Sequence, residues 1–155
     1  SSEWVGVCVD TGNNLALLED PLTVVERLAP FAFSSHLTDM AVQDYALGFL
    51  LAEVPLGECF LDLKRMVAVL RRTNAKLPIS LEMITRDPLK VPCLTKHYWE
   101  TFATLPAKVL AETLATVKKK ATKLPEVGKH PLAKQLDDEE EHVRQSFAHA
   151  GKLLD

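Results

Sequence analysis

The sequence predicts an α/β chain built on a parallel sheet, and three observations carry that expectation. Runs that are apolar on both faces, with the length of a buried strand, occur at 4–10 ("WVGVCVD"), 30–37 ("PFAFSSHL") and 77–83 ("LPISLEM"). Segments of helical periodicity separate them, as strand–helix–strand crossovers require. Each run ends on or beside a residue capable of chemistry: Asp10, His36 and Glu82.

The first run stops at Asp10 and passes into Thr11-Gly12-Asn13-Asn14. In "EDPLTVVERL", Asp20 is placed to cap orphan amides and Pro21 suits the first helical position. Leu22, Val24, Val25 and Leu28 give that helix its apolar stripe. "PFAFSSHL" is the second strand. Residues 40–57 are less regular; "GFLLAEVPLGE" reads as extended and turns at Pro55-Leu56-Gly57. A helix is expected over 62–72, where Leu63, Met66, Val67 and Leu70 recur on one face. "LPISLEM" is the third strand, and "TRDPLKVP" a loop pinned by Pro88 and Pro92. The last third reads as helical. Leu110, Leu114 and Val117 form one stripe; Val143, Phe147, Ala150 and Leu154 form another behind an Asp137-Asp138 cap, with 124–136 as the linker.

Composition narrows the function. A chain of 155 residues, 47% hydrophobic and 25% charged, can bury one ordinary core. A net charge of −3 offers no basic face for nucleic acid. Three cysteines at wide spacing, without a C-x-x-C pair, suit neither a disulfide framework nor a structural zinc site. No segment approaches the roughly 18 apolar residues of a membrane span. A cytoplasmic protein with no membrane partner is the expectation.

In parallel sheets of this kind, ligands gather at the carboxyl ends of the strands. One imidazole and two carboxylates there make a mixed nitrogen and oxygen donor set, suited to Mn²⁺, Mg²⁺, Co²⁺ or Zn²⁺. Bland roles compete. A histidine after a strand also serves as a hydrogen-bonded structural residue, and an aspartate as the cap of the next helix.

Taken in order, "VGVCVDTGN", "APFAFSSHLTD", "VPLGECFLD" and "ISLEMITRDPLKVP" resemble the sugar phosphate isomerase/epimerase family, whose fold is the xylose isomerase-like TIM barrel. The likeness runs from Val5 to Phe102. In that family a glutamate, an aspartate, a histidine and a second glutamate at successive strand ends bind a divalent metal. The resemblance gives the aspartate role to Asp10 of "DTGN", the histidine role to His36 of "HLTD" and the final glutamate role to Glu82 of "SLEM". It implies contacts from Asn13 with the substrate or with the metal ligands, and substrate contacts from Arg86 and from Glu58; Asp39 is open between an orienting role beside the metal ligands and the capping of a turn. Two positions depart from the pattern: Thr38 stands where relatives often carry lysine, and Cys59 where they carry glycine.

The implied activity is aldose–ketose isomerisation or ketose epimerisation of a sugar or sugar phosphate. It proceeds by proton transfer through an enediolate, with Glu82 both ligating the metal and exchanging the proton. A whole barrel takes about 250 residues and eight strands, and the three runs here resemble the sixth to eighth. The expected fold is therefore the C-terminal portion of a TIM (β/α)8 barrel: βα units over 1–104 and a helical extension over 105–155. The first glutamate ligand would lie upstream of Ser1. Bare sheet edges would call for the missing N-terminal part of the barrel, or a second copy, as partner. Two other classes compete: a non-catalytic metal-binding or assembly fragment, and an apurinic endonuclease-like phosphodiester hydrolase, which shares the barrel but needs more histidines at strand ends.

Overall fold

Two three-stranded sheets and five α-helices make up the computed structural model, which describes residues 4–102 and 104–154. The architecture is mixed α/β, and among the described residues no sheet closes into a barrel.

The first sheet is parallel, in the order β1 (Val7–Asp10), β2 (Ala32–Leu37), β5 (Ile79–Leu81). These are the three strands the apolar runs predict. Between β1 and β2 runs α1 (Pro21–Leu28), whose Asp20 cap accepts the Thr23 N–H at 2.8 Å. Ahead of β5 runs α2 (Leu63–Thr73), capped by Asp62 on the Arg65 N–H at 3.0 Å. Both helices cover the same face. Val9, Leu37 and Leu77 meet Val25 of α1 and Met66 and Leu70 of α2 in one buried core. The register sets Asp10 level with His36 and His36 level with Ser80 on the other face, where Cys8, His36 and Ser80 are exposed to solvent.

The second sheet is antiparallel, in the order β3 (Asp39–Tyr45), β4 (Gly48–Val54), β6 (Leu89–Val91). Here the structure corrects two expectations. The part of 40–57 read as less regular holds a strand: β3 continues from β2 across Thr38, and the stretch read as extended folds back on it as β4. Ala46 and Leu47 make the turn; at Gly48, with φ 151°, a Cβ would collide with the Val91 carbonyl, so glycine is what lets β6 approach. The "TRDPLKVP" segment is not wholly a loop, because Leu89–Val91 pairs with β4. Three residues between prolines carry no periodicity to read. Pairing supplies the strand.

Three helices follow: α3 (Lys96–Thr101), α4 (Ala107–Lys120) and α5 (Leu132–Leu154). The predicted stripe of Leu110, Leu114 and Val117 packs α4 on Val42, Phe49 and Leu51. Helix α5 starts before Asp137, so Asp137 and Asp138 lie inside it rather than at its cap. Pro131 precedes the first turn, and Gln135 Nε2 bonds the His130 carbonyl at 2.8 Å. The expected linker is correspondingly shorter, with Leu124 and Val127 buried.

Asp39, fully buried where β2 passes into β3, ties the two sheets to the loop that follows β4. Its carboxylate accepts the N–H groups of Met40 at 2.9 Å, Gly57 at 3.0 Å and Cys59 at 3.1 Å. Burial pushes its pKa up, while these amides and that of Leu61 pull it down. Removing the carboxylate strands several buried amides. Asp39→Ala is expected to lower unfolding stability by about 3 kcal/mol in urea titrations; a loss below about 0.5 kcal/mol would show that the loop does not depend on it.

Candidate functional site

Asp10 ends β1, His36 lies near the end of β2, and Glu82 follows β5 by one residue. Parallel pairing brings these three carboxyl ends side by side. Each residue offers one ligand atom to a group whose atoms all lie within 4.8 Å of one another, and this is the one such group of three among the described residues.

Local bonds hold each donor. Asp10 is gripped by the turn that follows it: its Oδ1 accepts the N–H of Gly12 at 2.8 Å and of Asn13 at 2.7 Å. The Asn13 side chain donates to Oδ2 at 3.1 Å, so Asn13 stands behind the aspartate and orients it. His36 Nδ1 lies 2.7 Å from Glu82 Oε2. Their side chains are 47% and 28% exposed, so the pair opens to solvent and to ligands.

The alignment of Asp10 with His36 depends on Thr11, which has no exposed surface. Its hydroxyl donates to the Thr38 carbonyl at 2.7 Å and accepts the Thr38 N–H at 2.8 Å, while its own N–H bonds the His36 carbonyl at 3.2 Å. Ser35 adds a second stitch, its hydroxyl donating to the Val9 carbonyl at 2.7 Å. Thr38 is fully buried, so its position is closed to a substrate.

The remaining expected residues lie around this group. Asp39 serves the loop amides, and the partner of His36 is Glu82. Arg86 extends beside the site, 60% exposed, with its Nη2 3.7 Å from Glu53. Glu58 is exposed in the loop after β4, its N–H closing a turn on the Pro55 carbonyl at 3.2 Å, and it is not among the converging donors. Cys59 is half-buried; burial, with Asp39 adding to it, pushes its thiol pKa up and keeps it protonated. The other histidines are engaged elsewhere: His142 with Thr85 at 2.8 Å, His97 with Glu100 at 3.0 Å, His130 beside Asp138 and His149 against Gly57.

Glu53, on β4, is the residue that sequence reasoning missed. Its side chain is only 3% exposed. It accepts the Ile84 N–H at 2.7 Å and faces Arg86. Burial pushes its pKa up; the Ile84 amide pulls it down, the charges of Glu82 and Asp10 push it up, and Arg86 pulls it down. The one available signal was a carboxylate inside the otherwise apolar run "GFLLAEVPL".

No protein-family model matches the chain, and no curated protein or solved structure matches it.

Two measurements probe this arrangement. Thr11→Val keeps the shape but leaves the Thr38 N–H and carbonyl unpaired. It is expected to cost about 2 kcal/mol in unfolding stability, with Thr11→Ser recovering most of it; equal stability of the valine variant would remove the hydroxyl from the framework. For Glu53, the raised folded pKa means that the folded state holds the proton more tightly than the unfolded one. In chelator, the stability of the wild type relative to Glu53→Gln is therefore expected to be greatest below pH 4.5 and to decline as pH rises through the folded value. A difference that grows with pH would contradict the assigned burial.

Proposed function

We propose that Asp10, His36 and Glu82 hold a divalent cation, and that the chain belongs to a metal-dependent isomerase or epimerase acting on a sugar or sugar phosphate. The observation that carries this is the convergence of the three donors from three separate strands. The substrate class comes from the resemblance of the strand-end motifs.

The donor set fits such an ion. Asp10, His36 and Glu82 would hold the ion, since one donor atom of each lies within 4.8 Å of the others. Two carboxylates and one imidazole favour a hard or borderline cation such as Mn²⁺, Mg²⁺, Co²⁺ or Zn²⁺. The gripped Asp10 and the exposed His36 and Glu82 leave room for substrate oxygens at the same point.

A bound divalent cation supplies Lewis acidity that polarises a carbonyl and an adjacent hydroxyl. Glu82 then removes and returns a proton at the neighbouring carbon, as general base and acid. Its place one residue past the end of a rigid strand holds the carboxylate at the reacting carbon. Asn13 fixes the orientation of Asp10. Arg86 reaches solvent beside the site and suits a hydroxyl or an anionic substituent.

The fold supports placing these strands in a barrel. Parallel strands β1, β2 and β5 with α1 and α2 on one shared face are what a (β/α) barrel stacks, although here a β3–β4 hairpin is inserted between β2 and β5, and the other face bears the site, as a barrel interior does. A doubly wound sheet would put helices on both faces.

Calorimetry with Mn²⁺ tests the cation site. The wild type is expected to bind one ion, with His36→Ala and Asp10→Asn each weakening it about 100-fold. In D2O, NMR is expected to show deuterium entering the α-carbon of a ketose or ketose phosphate, and Glu82→Gln is expected to stop it. Ion binding without exchange would favour a non-catalytic metal-binding fragment; absence of ion binding would remove the metal from the reading.

A further inference from the structure

Glu53 is a costly residue where it stands. A carboxylate 3% exposed loses most of its hydration, and Glu82 and Asp10 oppose its charge from nearby. Its hydrogen bond to the Ile84 N–H needs only an acceptor, which a glutamine would offer without charge. The 3.7 Å contact to Arg86 is too long for a strong ion pair, and that guanidinium is 60% exposed. The structural contacts alone therefore do not account for a charged group here. What does account for it is its location. It grips the backbone two residues beyond Glu82 and faces the side chain four residues beyond it, so one buried group restrains the segment that carries both.

We infer that Glu53 is a positioning residue for the cation site: it holds the Glu82–Arg86 segment in place, and its negative charge strengthens the hold of Asp10, His36 and Glu82 on a divalent ion. The inference rests on the cation site proposed above. A group outside the ligand set that fixes a ligand and adds negative charge raises metal affinity without touching the metal. Crowding three carboxylates together is unfavourable in the empty site and is relieved when a dication arrives, so the cost of Glu53 reappears as affinity. Arg86, loosely paired with Glu53 and mostly exposed, remains free to turn toward an anionic group of the substrate.

The test is Mn²⁺ calorimetry on the full chain at pH 7 with wild type, Glu53→Gln and Glu53→Ala, alongside circular dichroism and urea unfolding. Glu53→Gln keeps an acceptor for Ile84 and is expected to fold as the wild type does while binding Mn²⁺ about 10-fold more weakly. Glu53→Ala also frees the segment and is expected to lose more, up to about 100-fold. Glu53→Asp is expected to recover part of the loss. If the wild type binds Mn²⁺ and the folded glutamine variant binds it equally well, Glu53 has no role beyond packing and the inference fails while the cation site stands. If the wild type binds no Mn²⁺, both fail.

Discussion

The hydroxyl of Thr11 is the joint on which the site is built. Two parallel strands meet the second sheet at Thr38, and a buried corner of this kind leaves main-chain groups without ladder partners. Thr11 satisfies both the N–H and the carbonyl of Thr38 from one oxygen and bonds the His36 carbonyl through its own amide. Asp10 and His36 flank that joint in sequence and sit opposite each other in register. Their meeting is therefore a property of the backbone, settled before either side chain is considered. Burial makes the joint firm, because an unpaired amide or carbonyl at that depth has no water to turn to.

Against that rigid frame the side chains are crowded with like charge. Asp10, Glu53 and Glu82 bring three carboxylates into one neighbourhood, offset by a single guanidinium that is mostly in solvent. Local bonds manage the strain. The turn after β1 feeds amides to Asp10, the imidazole of His36 engages Glu82, and the Ile84 amide engages Glu53. An arrangement that collects negative charge at the open end of three strands suits a cation far better than it suits stability.

The segment after Glu82 shows how the rest of the fold serves that end. It is held from three directions: by Glu53 of β4 at Ile84, by His142 of α5 at Thr85, and by the short turn at Val127–Lys129, whose Gly128 N–H bonds Asp87 at 2.8 Å. The antiparallel hairpin and the last helix thus brace the loop carrying Glu82 and Arg86. Asp39 does the same for the loop at 55–61, through its bonds to Gly57 and Cys59. A carboxylate three residues past a histidine can orient it or cap a turn, and depth decides: Asp39 is buried with amides, while His36 faces solvent with Glu82.

Local chemistry determined the three parallel strands, the capped helices α1 and α2 and the strand-end donors Asp10, His36 and Glu82, because apolar runs, Asp-Pro and Asp-Leu caps and strand ends act over a few residues. Tertiary structure alone decided the rest. Strand β6 exists because Gly48 lets it reach β4, and α5 begins at Leu132 because its first turn is closed by contacts around His130 rather than by Asp137. Glu53 joins the site only because an antiparallel hairpin carries it back beside a segment some 30 residues further on, as its bond to Ile84 records. Sequence spacing is blind to such returns, since the pairing energy comes from groups that meet only once the chain has folded.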